Sequence, residues 1–144
     1  MLWIGRLRRI HSKSVNRFKE KIRELTSRKQ ARSIESILQR LKRYTTGWLG
    51  YYSIADMENK VKSLNEWIRR RIRQTYWKQW KKIKTKYKML KALGLEQWKA
   101  KELACSRKGY WRMAQVLNSI ITNKIIAKLG YTSMLDYYLV VYEN

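Results

Sequence analysis

The sequence predicts an all-α protein, and three observations carry that expectation. There is no Pro in 144 residues, and Gly occurs only at positions 5, 47, 50, 94, 109 and 130, so helices can run long between sparse punctuation. Apolar residues recur at spacings of three and four along most of the chain, the period of a helix with one buried face. Ser, Thr and Asp stand where such segments begin, as helix caps do. The chain is 44% hydrophobic with 7 Trp and 10 Tyr, which supplies a folded core and excludes a disordered basic tail. The expected architecture is a three-helix bundle over residues 12–83, a cluster of shorter helices over 84–144, and a short extended N-terminal arm over 1–11.

The arm, Met1 to Ile10, has strand-like character but no partner strand, so a frayed or extended segment is expected. Ser12 or Ser14 is the N-cap candidate of the first helix, whose stripe is Val15, Phe18, Ile22 and Leu25; Thr26, Ser27 and Arg28 end it. Ser33 is the next N-cap candidate, ahead of Ile34, Ile37, Leu38 and Leu41. Trp48, Leu49, Tyr51 and Tyr52 continue an aromatic-rich turn or helix, with a break or kink expected near Gly47 and Gly50. Asp56 then caps the longest helix, about Met57 to Lys82. Its wheel puts Val61, Leu64, Ile68, Ile72, Tyr76, Trp80 and Ile83 on one side, with Arg70, Arg73, Trp77, Lys81 and Lys84 on the other. A short helix through Tyr87, Leu90 and Leu93 stops at Gly94, which suits a left-handed cap. Three further segments follow: Glu96 to Cys105, Tyr110 to Lys128 with a break near Val116, and Ser133 to Tyr142. Gly130 closes the second, and Ser133 with Asp136 resembles a capping box.

Charge narrows the function classes. With 34 Lys and Arg against 10 Asp and Glu, the formal charge is +24, a self-repelling field that implies a polyanionic partner. No acidic residue lies between Glu66 and Glu96, while Lys or Arg stands at 69, 70, 71, 73, 78, 81, 82, 84, 86, 88 and 91. Few i,i+4 carboxylates are within reach of these cations, so a solvated, internally paired face fits poorly. RNA, DNA and an anionic membrane are the polyanions to weigh. No apolar run approaches the roughly 18 to 20 residues that span a bilayer, and Met1 to Ile4 is too short for a signal peptide. The expectation is therefore no membrane partner and a cytoplasmic location.

Catalysis finds little support. His11 and Cys105 are the only residues of their kinds, which excludes an internal disulfide or a His/Cys zinc site within this chain. Cys105 is expected as a small buried helix residue, and His11 as a surface or phosphate-facing one. The two aspartates, Asp56 and Asp136, sit where caps belong rather than as a converging carboxylate pair. No Gly-rich phosphate loop is present. No catalytic residue, metal site or cofactor is expected.

Two constellations remain as nucleic-acid contacts. The first comprises Arg69, Arg70, Arg71, Arg73, Trp77, Lys78, Lys81, Lys82 and Lys84. Trp77 either stacks on a base or covers the stems of neighbouring Arg and Lys side chains; Trp67 and Trp80 are expected in the core or at a domain interface. The second is Arg107, Lys108, Gly109, Tyr110, Trp111 and Arg112, where a glycine between bases lets backbone N–H groups approach phosphate. Its aromatics serve either as stacking surfaces or as core anchors of a loop-to-helix joint.

Several segments, in order, resemble the maturase-specific region of group II intron reverse transcriptases: Arg17 to Thr26, Gly47-Trp48-Leu49-Gly50-Tyr51-Tyr52, Leu64 to Arg73, and Trp77 to Lys81. Arg107 to Arg112, followed by Leu117, Thr122-Asn123 and Leu129-Gly130, resembles the DNA-binding segment of the same proteins. The resemblance spans about residues 10 to 142. It implies that the first unit is the helical thumb, or domain X, which clamps intron RNA and primer-template duplex, and that the second meets target DNA during intron insertion. In that setting the protein stabilises the folded ribozyme and the RNA performs the splicing chemistry. The reverse-transcriptase palm and the His/Cys endonuclease of fuller family members have no counterpart here, so a non-catalytic, truncated or remnant reading frame is expected. The alternatives are the thumb of a split polymerase, and a binder of anionic membranes. The oligomeric state and the particular intron are not legible.

Overall fold

The computed structural model describes residues 12–27, 33–51, 58–131 and 133–143, and its regular elements are all helical. The all-α expectation is met. The arm at 1–11, with His11, and the proposed cap Asp56 lie outside the described residues.

Helix α1 spans Ser12–Leu25 and buries Val15, Phe18, Ile22 and Leu25, the stripe its spacing predicts. Ser12 and Ser14 both lie within the helix, Ser14 buried, so neither is the N-cap its sequence position suggested. Past its end the Thr26 hydroxyl donates to the Ile22 carbonyl at 2.8 Å, satisfying one of the carbonyls a helix terminus leaves open. Helix α2, Ile34–Tyr51, begins where the Ser33 hydroxyl accepts the Ser36 N–H at 3.3 Å. The interruption expected near Gly47 and Gly50 does not occur. A helical glycine costs only about 1 kcal/mol relative to Ala. Packing offsets that cost: Leu49 is buried, and Phe18 of α1 lies 4.5 Å from Trp48 and 5.6 Å from Tyr44, centroid to centroid.

Helix α3, Glu58–Gln79, is the longest described, and it packs against three later elements. Helix α4 (Ile83–Ala92) packs on α5 (Gln97–Ala104). Helix α6 (Tyr110–Val116) runs into a 3-10 turn, Leu117–Ser119, so the break expected near Val116 is present. Helix α7 (Asn123–Lys128) starts at Thr122, whose hydroxyl accepts the Ile125 N–H, and α8 (Met134–Glu143) starts at Ser133, whose hydroxyl accepts the Asp136 N–H.

Two glycines close helices in the left-handed conformation, Gly94 at φ +98° and Gly130 at φ +116°. In each case the following N–H reaches back five residues, Leu95 to the Leu90 carbonyl and Tyr131 to the Ile126 carbonyl, the geometry of a Schellman cap. An L-residue with a side chain is strained at such φ, so these ends are specified by sequence.

α3 lies at the centre, against α6, the 3-10 turn and α8, while α8 also packs on α2 and α2 on α1. This corrects the wheel. Val61, Leu64, Ile68, Ile72 and Trp80 are buried as expected, with the polar Asn65 and Thr75 buried inside the same seam, but Arg73 and Trp77 are buried too, from the side of the helix assigned to the charges. Ile83, assigned to the same seam, is 56% exposed, because α3 ends at Gln79 and the chain turns before α4 begins. Cys105 is exposed rather than buried: it lies just past α5, whose inward positions are taken by Ala100, Leu103 and Ala104. Among the described residues no helix is long and apolar enough to cross a membrane.

Candidate nucleic-acid interface

Four of the five positions 69–73 are arginine, and successive residues on a helix point about 100° apart, so the four guanidinium groups cannot share one surface. Three of them are struts. Arg70 donates from Nε (3.1 Å) and Nη2 (2.8 Å) to the Trp111 carbonyl, and its guanidinium carbon lies 4.0 Å from the Trp111 ring centroid. Arg71 reaches back to the end of α1, donating from Nε (3.0 Å) and Nη2 (2.8 Å) to the Thr26 hydroxyl. Arg73 is buried, with Nε donating to the Ile121 carbonyl and Nη2 to Asn123 Oδ1, both at 2.7 Å.

Burial lowers the pKa of Arg71, with the positive charge of Arg23 adding to the effect. Burial likewise lowers Arg73 to about 10, helped by Arg69. Both remain cationic near neutrality, and the hydrogen bonds to oxygen are what make a buried guanidinium tolerable.

Arg69 differs. It is half-buried, and its Nε has no hydrogen-bond partner among the described residues. It lines two neighbouring clefts, one of about 550 Å³ between α3 and α6 and one of about 390 Å³ toward α7 and α8.

Trp77 is 1% exposed and offers no face to a base; of the two alternatives, only the packing role fits its place. Lys86 Nζ of α4 sits 4.6 Å from its ring centroid and Trp80 lies 6.1 Å away, edge-on. Lys81, Lys82 and Lys84 are exposed at the turn from α3 into α4. Arg107, Lys108, Gly109 and Arg112 are exposed before and within the first turn of α6, where Gly109 is the N-cap. Tyr110 is 38% exposed beneath Lys78, whose Nζ is 5.4 Å from its ring centroid, and Trp111 is half-buried beneath Arg70. Two cation–π contacts thus join the two constellations into one surface, with α3 as backing for the α5–α6 loop.

Two features were missed from sequence. Trp67 is half-buried, with Lys19, Arg23 and Arg71 at 5.5, 5.4 and 5.9 Å from its ring, so α1 sets two cations beside a tryptophan that lines the same cleft as Trp111. The i,i+4 spacing of Lys19 and Arg23 was the available signal. Asn65 is 1% exposed: its Oδ1 accepts the Tyr131 hydroxyl (2.9 Å) and the Met134 N–H (3.1 Å), and its Nδ2 donates to the Ser133 hydroxyl (3.2 Å). Its place on the apolar stripe, at i+4 from Val61 and i−3 from Ile68, was the signal for its burial, though not for its partners.

Among the described residues no group of three or more His, Cys, Asp or Glu is placed to hold a metal ion. The arrangement offers binding groups: guanidinium and ammonium charges, indole and phenol faces, and side-chain amides. The family model for the group II intron maturase-specific domain matches residues 15–94, which takes in α1 to α4 and ends on the Gly94 cap. No curated protein matches the chain. With more than half of its length matched, the chain belongs to the group II intron maturase-specific domain family.

Proposed function

We propose that this chain is a nucleic-acid-binding maturase module that binds folded group II intron RNA and stabilises it for splicing, without catalysing a step itself. The observation that carries the reading is the exposed cation set of Lys81, Lys82, Lys84, Arg107, Lys108 and Arg112, mounted on a rigid helical scaffold within a chain of net charge +24. A compact ribozyme brings its own phosphates together, and fixed cations at the surface screen that repulsion where mobile counterions lose entropy in doing so. The chemistry of splicing belongs to the RNA; the protein selects the RNA's folded state by binding it better than the unfolded one. Contact of the Arg107 to Arg112 loop with target DNA is a further part of this reading, supported by its exposed glycine-centred geometry.

The test is a splicing assay with a group II intron at near-physiological magnesium, with and without the chain, alongside affinities for folded intron RNA and for a duplex of equal length. Rescue of splicing and a marked preference for the folded intron are expected. Equal affinity for both RNAs would reduce the chain to a polycation.

A further inference from the structure

Building on an RNA partner, we propose that the cleft between α3 and α6 is a pocket for one unpaired, amino-bearing nucleotide, adenosine foremost, turned out of the bound RNA. The cleft holds about 550 Å³, within the range of pockets that accept small organic ligands. Its lining includes three guanidinium groups, Arg69, Arg70 and Arg73, and one carboxylate, Glu66, so it favours an anion. Arg70 and Arg73 have their Nε atoms bound to backbone carbonyls, whereas the Nε of Arg69 has no acceptor among the described residues. The Arg69 Nε is itself enclosed, so it is the outer Nη end of this guanidinium, the one least committed to the protein's own oxygens among those lining the cleft, that would meet the nucleotide's phosphate.

The remaining lining suits a base. Trp67 and Trp111 supply apolar walls, and Gln115 and Asn118 are exposed amides on the same cleft. A side-chain amide pairs in two-point fashion with the amino and ring-nitrogen edge of adenine. The Glu66 carboxylate accepts from an exocyclic amine and repels a carbonyl edge, which disfavours uracil. Sequence-specific recognition of RNA generally works on unpaired bases, because the edges of paired ones are inaccessible in a narrow major groove.

The test uses the full chain and three hairpin RNAs of near-equal length: one fully paired, one with a single bulged adenosine, one with a single bulged uridine. Kd is measured by fluorescence anisotropy at fixed salt. The bulged adenosine is expected to bind about tenfold more tightly than either of the others, the gain of one good two-point contact. The Gln115→Ala, Asn118→Ala double variant, altering two exposed side chains, is expected to lose that preference while keeping its melting temperature and its affinity for the paired hairpin. Arg69→Gln is expected to weaken the bulged adenosine RNA more than the paired one. Equal affinity of the wild type for all three hairpins, or a preference that survives in the double variant, would overturn the pocket. The maturase reading is decided separately, by folded intron against duplex, so either can fail alone.

Discussion

Asn65 joins α3 to the start of α8, with three buried hydrogen bonds from one side chain. Asn65→Ala would strand the Tyr131 hydroxyl and the Met134 N–H, and leaving buried polar groups unmet costs about 1–3 kcal/mol each. A loss of about 2–4 kcal/mol is expected by chemical denaturation, whereas Asn65→Asp keeps the acceptor and places a charge in a buried site. Tyr76 makes the opposite case. Its hydroxyl is buried with no partner among the described residues, and burial together with Glu35 raises its pKa to about 12. Tyr76→Phe removes that unmet group and is expected to raise stability by about 1 kcal/mol. Because the folded pKa exceeds the unfolded value of about 10, the unfolded chain ionises first, and the folded state loses stability as pH climbs from 10 toward 12. Across this window Tyr76→Phe should lose less stability than the wild type, read as melting temperature against pH. Neither polar environment was legible beforehand: an Asn on a helix, or a Tyr on an apolar stripe, carries no mark of what its polar atom meets.

At the scale of the element, α3 accounts for both the success and the failure of the helical wheel. Its apolar seam from Val61 to Ile72 followed from spacing, because each buried aliphatic needs a place on one face, whereas its C-terminal end did not, the helix stopping at Gln79 rather than Lys82. The second buried face did not follow, because an arginine that reaches a backbone carbonyl looks in sequence like one that reaches solvent. Arg70 and Arg73 were grouped with the phosphate-facing cations, yet they tie α3 to Trp111 and to Ile121 and Asn123. The Arg70 joint depends on a planar group that stacks on an indole and donates twice to one carbonyl, which an ammonium cannot do. Arg70→Lys is therefore expected to behave much as Arg70→Ala, loosening the α5–α6 loop. Hydrogen exchange at residues 107–112 is the measurement, with faster exchange expected in both variants and equal protection in Arg70→Lys and wild type counting against the joint. By contrast Lys82→Gln, on an exposed cation with no such role, should leave that exchange unchanged.

Across the whole molecule the charge dominates. Binding to RNA should weaken steeply with salt, with a slope of log K against log salt of about −0.7 to −0.9 for each phosphate neutralised. Removing Lys81, Lys82 and Lys84 together by substitution to Gln should reduce that slope by about 2 to 3; an unchanged slope would place the contact elsewhere. The expectation of a polyanion partner rests on composition, since a chain this small with a charge of +24 repels itself unless a polyanion neutralises it. The assembly of the surface was not, because it depends on α6 and the turn into α4 coming to lie beside α3, a tertiary fact that periodicity does not encode.

The aromatic contacts give that surface a further property. Lys86 lies over the Trp77 ring and Lys91 over the Tyr87 ring. A cation held by a carboxylate must give up that partner before it can meet a phosphate, and the exchange returns little net free energy. A cation resting on a ring keeps its full charge and its outward hydrogens, so an incoming phosphate adds a contact without displacing one. A ligand that docks on such a bed meets donors already oriented, and the freedom lost on association is that of the RNA and its ions far more than that of the protein.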